Sequence, residues 1–222
     1  MSKFAPFLVL AAFVAFWAWA PGGLAAKDMK REAVVQPAGT EVATFAGGCF
    51  WCIEADFEKV DGVVAAVSGF SGGTETDPRY DDVARGKTSH IETVQIFYDP
   101  KKTSYAKLLD KFFKTIDPTD GTGSFYDRGP HYRPVVFAHS DAQAELARAA
   151  IAKIDSLKIF DKKVAVEVKS FERFYSAENY HQDFYKKSPG HYQRYRRGSG
   201  RDDFIKKHWT GVPPLVSEKA GS

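Results

Sequence analysis

The sequence has 222 residues, 44% hydrophobic and 27% charged, a balance that supports a buried core and excludes both wholesale disorder and a large multidomain assembly. The formal charge of +3, from 31 Lys and Arg against 28 Asp and Glu, lacks the basic excess of a nucleic-acid binder. Rings are abundant: 18 Phe, 10 Tyr and 4 Trp exceed what a plain scaffold requires, so some of them are expected at a site.

Residues 1–26 place Lys3 ahead of an apolar run from Phe4 to Ala20, then Pro21, Gly22 and Gly23, then Leu24, Ala25 and Ala26. This is the order of a secretory signal peptide and predicts an exported chain, with the periplasm as the expected location. The rival reading is an uncleaved membrane anchor, because the run approaches the lower limit of a span. Either way the rest of the chain is expected outside the cytoplasm.

Residues 27–40 are polar and aperiodic and read as a linker. Val42 to Phe45, stopped by Gly47 and Gly48, predicts a strand entering a turn. Phe50, Ile53 and Phe57 then recur on one helical face. Val63 to Phe70 and His90 to Tyr98 read as strands, the second with Glu92, Val94, Ile96 and Tyr98 on one face. Leu108, Leu109, Phe112, Phe113 and Ile116 trace a second helix. Leu146, Ala150, Ile154 and Leu157 trace a third, opened by a capping box of Ser140 and Gln143. Strands are expected at Tyr132 to Ala138 and Val164 to Val168, and a short helix near Ala177 to Tyr185. Helices alternate with strands that sometimes adjoin directly, which predicts an α+β domain with a mixed sheet over residues 41–193. Residues 194–222 are read as a tail that wraps the surface or frays, with Arg194, Arg196, Arg197 and Arg201 as a solvated basic patch.

The sequence holds two cysteines, Cys49 and Cys52. Cys49 opens a helix, where free N–H groups and the helix dipole lower a thiol pKa, making it the candidate nucleophile. Cys52, one turn on, is placed to attack a sulfur adduct on Cys49 and close a disulfide. A structural bridge over so short a loop removes little unfolded-state entropy. No second CxxC or paired-histidine spacing completes a zinc site, so no metal is expected. Phe50 and Trp51 offer an apolar wall for a methyl or thioether group, although Phe50 also suits core packing. Two readings remain open on these residues: thiol redox chemistry, as in a thiol-disulfide oxidoreductase, and a binding domain with a structural disulfide.

The run Gly47-Gly48-Cys49-Phe50-Trp51-Cys52-Ile53-Glu54 resembles the GCFWxxE signature of the A-type peptide methionine sulfoxide reductases. Further blocks of that family follow in order: Ser68 to Gly73, His90 to Val94 with Tyr98-Asp99-Pro100, Tyr126 to Arg133, and Phe174 to Gln182. The resemblance implies a two-layer α+β sandwich with a ferredoxin-like arrangement and a mixed sheet. It implies that Cys49 attacks the sulfoxide sulfur and that Glu92 protonates the departing oxygen, an inward carboxyl whose burial would raise its pKa. Tyr80 and Tyr132 would hydrogen-bond the oxygen, Asp127 would support the site, and Phe50 and Trp51 would hold the S-methyl group. Tyr192 aligns with a pocket tyrosine. The substrate would be methionine (S)-sulfoxide, free or in proteins, handled by a monomer with no bound cofactor and recycled by an external, thioredoxin-like dithiol. Two departures stand out. Many relatives have glycine at the position of Cys52 and recycle through cysteines near the C-terminus, whereas Gly190-His191-Tyr192-Gln193 carries no thiol, so Cys52 or an external thiol must resolve the intermediate. Pro130 removes a backbone donor from the segment leading to Tyr132.

Overall fold

A computed structural model describes residues 30–217. The expected signal segment and the end of the tail lie outside these residues. The sheet has six strands: β1 (Glu41–Ala46), β2 (Val63–Ser71), β3 (Ile91–Tyr98), β6 (Val135–Ala138), β7 (Glu167–Ser170) and β8 (Phe174–Ser176), in the order β7-β6-β1-β3-β2-β8. The pair β6 and β7 is parallel and the other pairs are antiparallel, so the sheet is mixed. A separate two-strand hairpin joins β4 (Gly123–Ser124) to β5 (Asp127–Arg128).

Strand β3 lies in the middle and is buried at all of its residues. Its alternation puts Val94 and Ile96 in one cluster with Ala43, Phe45 and Val136 from the flanking strands. Helices α1 (Phe50–Phe57), α3 (Tyr105–Phe113) and α4 (Asp141–Leu157) fill that face. Phe45 is its hub, with ring centroids 4.7 Å from Phe112 and 5.6 Å from Phe57. The opposite face carries a smaller cluster of Ala46, Ile91, Val135 and Phe137 with Phe171 against it. The α+β architecture therefore follows from two periodicities, two in the strands and 3.6 in the helices.

The predicted cap of α4 is present: Ser140 accepts from the Gln143 N–H at 3.3 Å. The Gln143 side chain accepts from His139 N–H at 3.0 Å and donates to the Val42 carbonyl at 2.9 Å, tying α4 to the sheet. Elsewhere the structure departs from the sequence reading. The expected strand at Val164 to Val168 begins at Glu167. Residues 130–132 form a 3-10 turn, with Pro130 at its first position where a missing N–H costs nothing. The short helix expected near Ala177 is α5 (Phe184–Lys187), preceded by β8. Strand β8 and helix α2 (Tyr80–Ala84) carry too few residues to show a period.

The larger correction concerns the ends. From Lys30 onward the expected linker is tethered: the Lys30 carbonyl accepts from Asn179 N–H at 2.8 Å, and Arg31 pairs with Asp77 at 2.6 Å. Through Ser217 the tail packs on the domain. It forms α6 (Pro189–Gly198) and α7 (Arg201–Trp209), and Trp209 and Leu215 join the main core. Arg194 and Arg197 are exposed. Arg196 instead pairs with Asp56 at 2.9 Å and Arg201 is fully buried, so the basic residues are not one solvated patch. Among the described residues no helix is long and apolar enough to cross a membrane.

Candidate active site

The strand β1 ends at a two-glycine turn that the packing leaves no room to change. A Cβ on Gly47 would stand 2.8 Å from Ile116, and Gly48 has φ +89, a conformation that glycine adopts without strain. Gly48 also lies against Ser124 of the β4–β5 hairpin. This turn delivers Cys49 as the N-cap of α1, and Cys52 N–H donates to the Cys49 carbonyl at 3.1 Å. Both cysteines are free and buried, and their thiols hydrogen-bond to each other.

Glu92 reaches this helix start from β3. Its Oε2 accepts the Phe50 N–H at 3.0 Å, so the first free donor of α1 serves a carboxyl. Asp127, delivered by β5, interacts with the Cys49 N–H and accepts from the Tyr195 hydroxyl. The buried setting of Cys49 runs against one expectation from the sequence. Burial comes first among the causes that push the Cys49 thiol well up, followed by the neighbouring thiol and the charges of Glu92 and Asp127. The net push on the thiol is upward although Cys49 caps α1, whose Phe50 N–H is taken by Glu92. The lowered thiol is Cys52, brought to about 7 by the hydrogen bond from Cys49 and by the charges of Arg201 and Arg196.

Burial pushes the Glu92 carboxyl well above 4.5, with Asp127 adding to it and the Phe50 N–H opposing. Glu92 is 2% exposed, and this burial favours its protonated form. Asp127 is raised by burial as well, although the Tyr195 hydroxyl and Arg201 favour its charged form. Tyr80, at the start of α2, and Tyr132, at the end of the 3-10 turn, are both raised by burial first, then by the charge of Glu92. Cys49 and Asp127 act on both as well, which places the two hydroxyls around one centre.

Aromatic packing fixes the wall beside it. Phe50 stacks on Tyr80 with centroids 6.1 Å apart, and Trp51 stacks on Phe184 at 3.7 Å. Trp51 Nε1 donates to His181 Nδ1 at 3.0 Å. Burial lowers His181 to about 3, so the ring is neutral and can accept. Tyr192 lies on the other side, packed with Cys52, Ala55 and Phe184, and its hydroxyl accepts from Arg196 at 3.1 Å.

The structure brings Cys49, Phe50, Trp51, Cys52, Tyr80, Glu92, Asp127 and Tyr132 together, and it packs Tyr192, expected as a pocket tyrosine, against Cys52. Sequence reasoning missed His181, Tyr195 and Arg201. The spacing of Tyr192 and Tyr195 at i and i+3 was the available signal for a tyrosine-bearing helical face. Cavity size alone would have misled: a cavity of about 530 Å³ at the free edge of β2, lined by Val64 to Val67, Glu54, Gln182 and Lys186, contains none of these residues. Among the described residues no group of three His, Cys, Asp or Glu side chains is arranged to hold a metal ion.

Two adjoining thiols, a buried carboxylic acid and two tyrosines on a mixed α+β frame define a thiol-based redox enzyme. The model of the peptide methionine sulfoxide reductase family matches residues 41–212, and the chain belongs to that family. It is 48% identical over 169 residues to peptide methionine sulfoxide reductase MsrA 2 of Staphylococcus aureus, covering 76% of this chain and 96% of the relative. Among solved structures, the reduced form of Mxr1 from Saccharomyces cerevisiae superposes with a TM-score of 0.63 at 35% identity, covering 70% of this chain and 89% of that one. Methionine sulfoxide reductase A of Corynebacterium diphtheriae gives 0.63 at 25% identity, covering 76% and 92%. The chain is thus an oxidoreductase of the A type that reduces methionine sulfoxide.

Proposed function

We propose that this enzyme reduces the S epimer of methionine sulfoxide in exported proteins through a Cys49 sulfenic acid and a Cys49–Cys52 disulfide. The observation that carries this reading is the hydrogen bond from Phe50 N–H to Glu92, which holds a buried carboxyl, its protonated form favoured by burial, at the helix start that Cys49 caps. A sulfoxide placed with its sulfur at Cys49 presents its oxygen to Glu92, Tyr80 and Tyr132, while the rings of Phe50 and Trp51 receive the methyl group. Glu92 gives its proton to the oxygen as the Cys49 sulfur attacks, and takes back the proton that Cys49 loses. The bond between the Cys49 sulfur and the sulfoxide sulfur forms first; it and the S–O bond then break as the oxygen passes to the Cys49 sulfur, so methionine leaves and Cys49 becomes a sulfenic acid.

Cys52 then gives up its proton and attacks the Cys49 sulfur, and the hydroxyl takes up a proton and leaves as water as the disulfide closes. Two electrons from an external dithiol restore both thiols, and no bound cofactor enters the cycle. Asp127, held by Tyr195, orients the Cys49 backbone. Tyr192 packs against Cys52, with its hydroxyl held by Arg196. Export rests on the n-region, h-region and small-residue order of residues 1–26, and makes oxidised proteins outside the cytoplasm the substrates. The test is turnover of each pure epimer of a methionine sulfoxide peptide with dithiothreitol as donor. Consumption of the S epimer alone supports the reading. Equal consumption of both, or turnover retained in Cys49→Ser, overturns it.

A further inference from the structure

Helix α7 sends one cation into the interior with no salt-bridge partner among the described residues. Arg201 is fully buried, its guanidinium lies 4.6 Å from the centroid of the Phe125 ring, and its Nη1 donates to the Thr115 carbonyl at 2.7 Å. Its Nε and Nη2 have no hydrogen-bond partner, and among the described residues no carboxylate pairs with it. Arg196 differs, because Asp56 and Asp202 neutralise it. A buried, unpaired charge is costly and persists where another charge compensates it. Arg201 Nη2 stands beside the turn that carries Cys49, within 3.4 Å of where a Gly48 Cβ would lie. The ionisable groups that its charge favours are Cys52 and Asp127.

Access separates the two sulfurs. Cys49 is 6% exposed, whereas Cys52 is 0% exposed behind Phe184 and Tyr192. A disulfide between them presents the Cys49 sulfur to an outside reagent. We propose that Arg201 is a positioning residue for recycling, holding Cys52 as the buried thiolate that leaves when an external dithiol attacks Cys49. This rests on the Cys49–Cys52 disulfide proposed above. In the step, a donor thiolate bonds to the Cys49 sulfur and the Cys49–Cys52 bond breaks, its electron pair going to Cys52 beside the guanidinium. The second donor thiol, giving up its proton, then displaces Cys49 from the mixed disulfide. The donor is oxidised to its own disulfide, and both cysteines are reduced. A thiol of low pKa leaves faster, and a fixed cation in a dry interior supplies that without help from solvent.

The test compares Arg201→Gln, which keeps a donor for the Thr115 carbonyl but loses the charge, with Arg201→Lys, which keeps the charge. In a Cys49→Ser background Cys52 is the sole thiol, and ultraviolet thiolate absorbance reports its titration. Arg201→Gln is expected to move the midpoint up by about one pH unit or more, with Arg201→Lys close to the parent. In the two-cysteine protein, Arg201→Gln is expected to slow reduction of the disulfide by dithiothreitol about tenfold, while still yielding one methionine per chain in the absence of donor. Arg201→Lys should restore the rate. Unchanged titration and recycling in Arg201→Gln, or equal loss in both variants, overturns the proposal. If the parent protein consumes no sulfoxide, the functional reading fails instead, and the titration still decides what Arg201 does to Cys52.

Discussion

Replacing Glu92 with glutamine should damage catalysis and strengthen the fold, and the two effects have separate physical origins. The amide retains an acceptor for the Phe50 N–H, now 3.0 Å from Oε2, so the start of α1 keeps its partner. It cannot protonate a departing oxygen, and a positioned acid contributes about 10²–10⁴-fold. The single-turnover rate of methionine release should fall by that factor. Stability moves the other way. Glu92 is raised above its ordinary value of 4.5 by burial, so between pH 4.5 and its folded value the folded chain holds a proton that the unfolded chain has lost. Stability from this group is complete below pH 4.5 and declines by about 1.4 kcal/mol per pH unit as pH rises toward the folded value. The amide has no such dependence. Urea unfolding of wild type and Glu92→Gln at pH 4.5 and pH 7 isolates the effect, because other titrations cancel in the difference. The variant should gain stability over wild type from the lower to the higher pH. A gain of zero, or a wild-type rate of methionine release, refutes the reasoning.

Glu54 follows the same logic without the catalytic role. Burial raises it to about 8, and glutamine would still accept from the Asp183 N–H, now at 3.2 Å. Glu54→Gln should therefore add about 3 kcal/mol at pH 7 and little at pH 4.5, as read by urea unfolding. Phe45→Ala removes the ring that joins Phe57, Phe112 and Tyr105 and should cost about 3–5 kcal/mol. A loss below about 1 kcal/mol would show that the hub is elsewhere.

What the sequence made legible was what carries a period. Strands β1, β2 and β3 and helices α1, α3 and α4 bury long alternating or helical faces, and the parity of Glu92 with Val94 and Ile96 is enough to put a carboxyl inside. Elements of two to five residues, such as β4, β5, β8 and α2, are too short to show one. The tail misled for a different reason. Gly190, Gly198 and Gly200 with many arginines have the composition of a linker, and the apolar residues of α7 are few. Its charges did carry the signal, with Asp202 and Asp203 in the first turn and Lys206, Lys207 and His208 in the last, matching the helix dipole. Within the site, Tyr80, Asp127 and Tyr132 come from three separate segments and were recoverable only through the family's motifs. The pKa order of the two thiols was not legible, since it depends on burial, on the hydrogen bond between the thiols and on an arginine 149 positions beyond Cys52.

The central claim is that one chain reduces one sulfoxide using only its own two thiols. The direct measurement is mass spectrometry of fully reduced protein mixed with each pure epimer of a methionine sulfoxide peptide and no reductant. The account predicts one methionine per chain from the S epimer alone, with the protein losing the mass of two hydrogen atoms, and no such loss in Cys52→Ser, which should instead gain one oxygen. Reduced protein that consumes neither epimer, or a Cys52→Ser variant that still loses the two hydrogens, would contradict it.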